Sequence, residues 1–147
     1  MKGYAAAQNL SLAIGAIFLL VGVLGFIPGI VTNYDGLAFA GDDSGAKLLG
    51  LFQVSVLHNV VHALFGVAGF VLARTLGGAR LFLVGGGVIY LALFIYGLVV
   101  EQASSANFVP VNTADNILHL GLGIGMIVLG LAASSLAATP LDRRHAR

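Results

Sequence analysis

The sequence predicts an all-α fold: an integral membrane four-helix bundle in which two helical hairpins repeat one another. Three observations carry this. Hydrophobic residues make up 59% of the 147 residues before any of the 21 glycines is counted, and charged residues only 9%. Ordinary soluble domains use about 25% charged residues, and so few charges cannot cover a soluble surface of this size. Four apolar stretches reach or approach the roughly 20 residues that a helix needs to cross a hydrocarbon core of about 30 Å. No stretch alternates with period two, and helices satisfy their own backbone groups in lipid. The same composition excludes a soluble globular enzyme, a disordered tail and a nucleic-acid binder. Without cysteine the chain has no disulfides, thiolate metal sites or thiol chemistry.

The first span is expected over about residues 10–27 and stops at Pro28-Gly29. The second is expected over 48–73, the third over 79–100, and the fourth over 114–138, before Pro140. Gly85-Gly86-Gly87 falls inside the third span rather than after a strand, so it reads as helix packing and not as a phosphate loop. Phe26, Tyr96 and Phe108 sit near one boundary, as an aromatic belt would. Asn112 or Thr113 is the expected cap of the fourth helix, with Asp115 favourable in its first turn.

Charge placement sets the orientation. Lys2, Arg74, Arg80, Arg143, Arg144 and Arg147 fall at the N-terminus, the second connection and the C-terminal tail. Lys47 alone falls on the other side, among Asp35, Asp42, Asp43, Glu101 and Asp115. The positive-inside rule then puts both termini in the cytoplasm. Ala38-Phe39-Ala40 has the form of a signal-peptidase site. The apolar run before it is long and ends about ten residues upstream, which suits a retained first helix.

The second and fourth spans share a pattern. His58-Asn59-Val60-Val61-His62 with Gly66 repeats as Asp115-Asn116-Ile117-Leu118-His119 with Gly123, at an offset of 57 residues. The first and third spans align only weakly. A duplicated hairpin of equal topology implies a pseudo-two-fold axis along the membrane normal. Helical phase agrees, because each helix gathers its small and polar residues in one arc. These are Ser11, Gly15, Phe18, Gly22, Gly25 and Gly29 on the first, and Ser55, His58, Asn59, His62, Gly66, Gly69 and Ala73 on the second. On the third they are Gly86, Tyr90, Gly97 and Glu101, and on the fourth Asp115, Asn116, His119, Gly123, Met126, Gly130 and Ala133. Small faces let helices approach closely, which drives association in lipid.

The inward cluster admits several readings. Polar residues inside a membrane are costly and point to a functional site by default. His58 and His62, four apart on one face, suit a metal, with Asp115 and His119 as further ligands for zinc, copper or iron. Asp115 also suits a hydrogen bond that orients a histidine. His62 and His119 could instead be axial ligands of a b-type haem, with Gly66 and Gly123 giving room for the porphyrin. His, Asp and Glu could relay protons or serve a small solute transporter, although no polar stripe runs the full depth of any helix. The leading reading is structural and predicts no cofactor: Asn59, Asn116 and the histidines clasp the bundle through hydrogen bonds between helices. Enzymatic activity is not expected. The partner is the lipid bilayer, with a further membrane protein or a homo-oligomer as the remaining options.

Gly25-Phe26-Ile27-Pro28-Gly29, Leu51-Phe52, Leu57-His58-Asn59-Val60-Val61-His62, Gly66, Pro110, Asn112 and Ala114-Asp115-Asn116-Ile117-Leu118-His119 together resemble a bacterial four-span membrane family known as domain of unknown function 4383. The resemblance covers roughly residues 8–135. It implies four transmembrane helices in a bacterial inner membrane, and it implies no activity and no catalytic residue.

Overall fold

The computed structural model describes residues 6–137. Lys2, Pro140, Arg143, Arg144 and Arg147 lie outside the described residues. Helix α1 spans Ala6–Leu24, α2 Val56–Leu72, α3 Leu76–Val99 and α4 Thr113–Ala137. Helix α3 runs through one π turn, Leu81–Gly85. Helices α1, α3 and α4 are long and apolar enough to cross a membrane. Helix α2 has 17 residues and so is about 26 Å long at 1.5 Å per residue. Helix α1 packs chiefly on α2, and α3 on α4, which makes two hairpins.

Helix α2 starts later than expected. The apolar run from Leu48 does not enter the helix. It forms a small antiparallel sheet of β1 (Val31–Thr32), β2 (Lys47–Leu48) and β3 (Phe52–Gln53), in that order. Val31 pairs with Leu48, and Leu48 in turn with Phe52. The reason lies in the turn between β2 and β3, where Leu49 and Gly50 take φ of 54° and 72°. That left-handed pair reverses the chain and no helix can continue through it. Ser55 then opens α2 as its N-cap, its hydroxyl accepting the His58 N–H.

The predicted faces are the buried faces. On α2, Ser55, His58, Asn59, His62, Gly66, Gly69 and Ala73 are all buried, while Val60, Leu64, Val67 and Val71 are exposed. On α4, all seven residues from Asp115 to Ala133 in the predicted arc are buried. On α1, Gly29 is the exception, lying exposed beyond the helix end. On α3, Gly86, Tyr90 and Gly97 are buried, but Glu101 is exposed past the last turn.

Two apolar cores result. The larger lies between the helices and includes Phe18, Phe82, Leu83, Tyr90 and Met126, with Phe65 packed against it. The smaller joins the sheet to the end of α1 through Val31, Ala46, Leu48 and Val54.

Candidate functional site

The site sits where the sheet meets the helices. Helices α1 and α3 end there, and α2 and α4 begin there. The last carbonyls of a helix have no donor within it, and at a bundle's interior no water replaces one. Each hairpin meets this need in the same way. Asn59 on α2 donates from Nδ2 to the Gly25 carbonyl, just past α1, at 2.7 Å. Asn116 on α4 donates to the Gly97 carbonyl, in the last turn of α3, at 2.8 Å. A Cβ at Gly25 would land on the Asn59 amide, and one at Gly97 on the Asn116 amide. Glycine at both positions is therefore what admits the asparagine.

The correspondence between the two hairpins extends further. Ser55 caps α2 by accepting from His58 N, and Asn112, 57 residues on, accepts from Asp115 N at 3.0 Å. Gly15 packs against Gly66, and Gly87 against Gly123. Phe18 lies edge-on to His62 with ring centroids 5.6 Å apart, and Tyr90 lies 5.3 Å from His119. Gly15, Phe18 and Gly25 thus correspond to Gly87, Tyr90 and Gly97, an offset of 72 residues. Phe18 and Tyr90 stack on one another at 5.3 Å and 7°, so equivalent rings meet between the two hairpins.

One carboxylate oxygen of Asp115 serves in capping. Its Oδ2 accepts from Asn112 N at 2.9 Å and from Gln53 N at 3.0 Å. The first bond closes a reciprocal cap of the capping-box kind with Asn112. The second ties α4 to strand β3. Asn112 adds a bond from Nδ2 to the Leu51 carbonyl.

The three histidines form one wall of a cavity of about 130 Å³, together with Asn59 and Asp115. Val21, Leu24, Leu48, Phe52, Val54 and Leu118 form the rest of its lining, with Leu49. His58 and His62 lie with ring centroids 4.7 Å apart. All three imidazoles are more than nine-tenths buried. The Nδ1 atom of each is buried without a hydrogen-bond partner.

Of the predicted cluster, the structure brings His58, Asn59, His62, Asp115 and His119 to the cavity. Asn116 turns instead to Gly97. Glu101 does not join them: it is exposed, and its carbonyl accepts from Ser104. Among the described residues, no three His, Asp or Glu side chains gather as a group able to hold one ion. The room assigned to a porphyrin beside Gly66 and Gly123 is filled. Gly66 abuts the backbone of Gly15 and Leu19, and Gly123 abuts Leu91 and the Gly87 carbonyl. The cavity itself is well below the roughly 300–1,000 Å³ of ordinary cofactor pockets.

Sequence reasoning misses the cavity's second wall, because Leu48, Phe52 and Val54 read as helix. It also misses the loop clips. Ser44 donates to the Val54 carbonyl at 2.5 Å, and Asn107 bonds both ways with Val111. Asparagine and serine between two spans are the available signal, since both readily bond nearby backbone in turns.

No curated protein and no solved structure matches the chain. A family model, described as a domain of unknown function, matches residues 8–132, a span that holds both Asn-x-x-His motifs and the greater part of all four helices. The chain belongs to the DUF4383 family.

Proposed function

We propose that this is a non-enzymatic four-span protein of the bacterial inner membrane whose polar cluster clasps two repeated hairpins. The observation that carries the reading is the matched pair of bonds, Asn59 to Gly25 and Asn116 to Gly97. Each joins the start of one helix to the end of its neighbour, at equivalent places in both hairpins. Bonds of this kind contribute about 0.6 kcal/mol on average in membrane proteins and up to about 1.7 kcal/mol. Replacing Asn59 and Asn116 together by Ala is expected to cost about 1–3 kcal/mol, because both glycine carbonyls lose their partner. Equilibrium unfolding in mixed micelles reads this. A double variant as stable as the parent would remove the clasp.

A proton-relay reading draws less support. Below the histidines, the interior is Phe18, Phe65, Phe82, Leu83, Tyr90 and Met126, which offers no chain of titratable groups to the far end among the described residues.

Orientation follows from charge. Asp35, Asp42, Asp43 and Glu101 lie at the sheet end, and Arg74 and Arg80 lie at the opposite end. The positive-inside rule makes the sheet end the outer one. The chain has no cysteine, so single replacements report cleanly. Asp43 and Gly77 are exposed at opposite ends. In intact cells a membrane-impermeant maleimide should label Asp43→Cys and leave Gly77→Cys unlabelled until the membrane is opened. The reverse pattern would invert the topology.

A further inference from the structure

We propose that the cavity under the sheet is a binding site for a small neutral ligand, about the size of a benzene ring and bearing a hydroxyl group. Size comes first. The space is about 130 Å³, close to the roughly 150 Å³ of an apolar protein cavity known to take up benzene. Chemistry comes second. Most of the lining is aliphatic or aromatic, with Val21, Leu24, Phe52 and Val54 among it. No lysine or arginine lines it, so a carboxylate or phosphate would meet no fixed positive charge there. The carboxylate oxygen Oδ2 of Asp115 already accepts two backbone N–H groups.

The third observation is the set of unpartnered atoms. Nδ1 of His58, His62 and His119 has no hydrogen bond within the protein, and leaving such an atom unpaired is unfavourable. The three histidines line the cavity, so a ligand there stands against imidazoles whose hydrogen bonding the protein leaves incomplete. A hydroxyl both donates and accepts, so it serves an imidazole in either tautomer. Leu49 and Leu118 line the cavity and are both partly exposed, which places its mouth between them. This inference goes beyond the clasp: Asn59 lines the cavity too, but its Nδ2 is bonded to the Gly25 carbonyl, and the unpartnered atoms belong to the histidines.

The test uses the full chain in detergent, with phenol as the probe and toluene as the control of like shape without the hydroxyl. Phenol is expected to bind saturably, to raise the unfolding midpoint, and to move the histidine ring ¹⁵N resonances. Toluene should bind at least tenfold more weakly. Leu118→Trp, at the partly exposed mouth, should fold normally and lose the phenol response. Three outcomes would overturn the proposal. Equal binding of toluene would remove the hydroxyl requirement. A non-saturating response unchanged by Leu118→Trp would mean partition into detergent. Histidine resonances unmoved by phenol would leave the cavity to water alone.

Discussion

Gly66→Ala is expected to destabilise the bundle by about 1–3 kcal/mol or more, the cost of forcing extra atoms into a packed interior. A Cβ there would stand 2.5 Å from Leu19 N, 2.7 Å from Gly15 O and 2.8 Å from Leu19 Cα. All three are backbone atoms of α1, so no rotamer change relieves the contact and the two helices must separate. Separation in turn lengthens the neighbouring bonds from Ser11 Oγ and Gln8 Nε2 to the carbonyls of Gly69 and Ala73. The equivalent change in the second hairpin, Gly123→Ala, should cost less. Its nearest obstacles are the Leu91 side-chain carbons at 2.6 and 2.8 Å, with the Gly87 carbonyl at 3.1 Å, and a leucine side chain can turn away. Gly121→Ala and Gly125→Ala meet nothing within 4 Å. Both should be neutral or slightly stabilising, since alanine favours a helix by up to about 1 kcal/mol over glycine. Unfolding midpoints of the four variants in one detergent test the order. Gly66→Ala matching Gly121→Ala would show that the close approach of α1 and α2 is not what holds the hairpin.

Part of that order is legible in the amino-acid sequence alone. The second and fourth helices announce their inner faces because polar residues are rare in so apolar a chain. His58, Asn59 and His62 stand out, and their phase carries Gly66 and Gly69 with them. The first and third helices carry almost no polar residue on the face that packs. Their equivalence rests on Gly15, Phe18 and Gly25 against Gly87, Tyr90 and Gly97. Glycine is abundant throughout, so this spacing is lost among chance matches and only contact with the partner Asn reveals it. The sheet is illegible for another reason. Leu48 to Val54 is largely apolar in sequence, and a short apolar run does not distinguish a buried strand from the start of a helix. What decides it is the left-handed Leu49-Gly50 turn, and leucine in that conformation is not a signal that composition offers. The sequence offers Asn112 or Thr113 as the cap of the fourth helix, and the structure assigns it to Asn112. It offers Asp115 as a cap, as a metal ligand or as an orienter of histidine. Only the two backbone donors of Asp115 show where its Oδ2 is spent. Glu101 joins the site by phase alone, and the end of α3 at Val99 releases it to the surface.

Phe18→Ala should be among the most damaging single changes in the protein, at about 3–5 kcal/mol, the usual cost of emptying a buried phenylalanine site. Phe18 is 2% exposed. Its ring stacks on Tyr90, meets Phe65 edge-on at 5.1 Å and 86°, and meets His62 edge-on at 5.6 Å and 70°. Such aromatic pairs add about 0.5–1.5 kcal/mol each beyond the burial itself. The contact with Tyr90 matters most for the architecture, because it joins equivalent positions of the two hairpins. Asn59 and Asn116 each act within one hairpin, whereas the Phe18–Tyr90 stack acts between them. A double-mutant cycle separates these roles. Phe18→Ala and Tyr90→Ala should each be costly, and the double variant should cost less than their sum by about 0.5 kcal/mol or more, as contacting residues do. Phe18→Ala combined with Asn116→Ala should instead be close to additive, since the two side chains serve different contacts. Additivity in the first cycle would mean that the stack does not couple the hairpins, and that the pairing of α1 with α2 and of α3 with α4 is joined by the remaining core around Phe82, Leu83 and Met126.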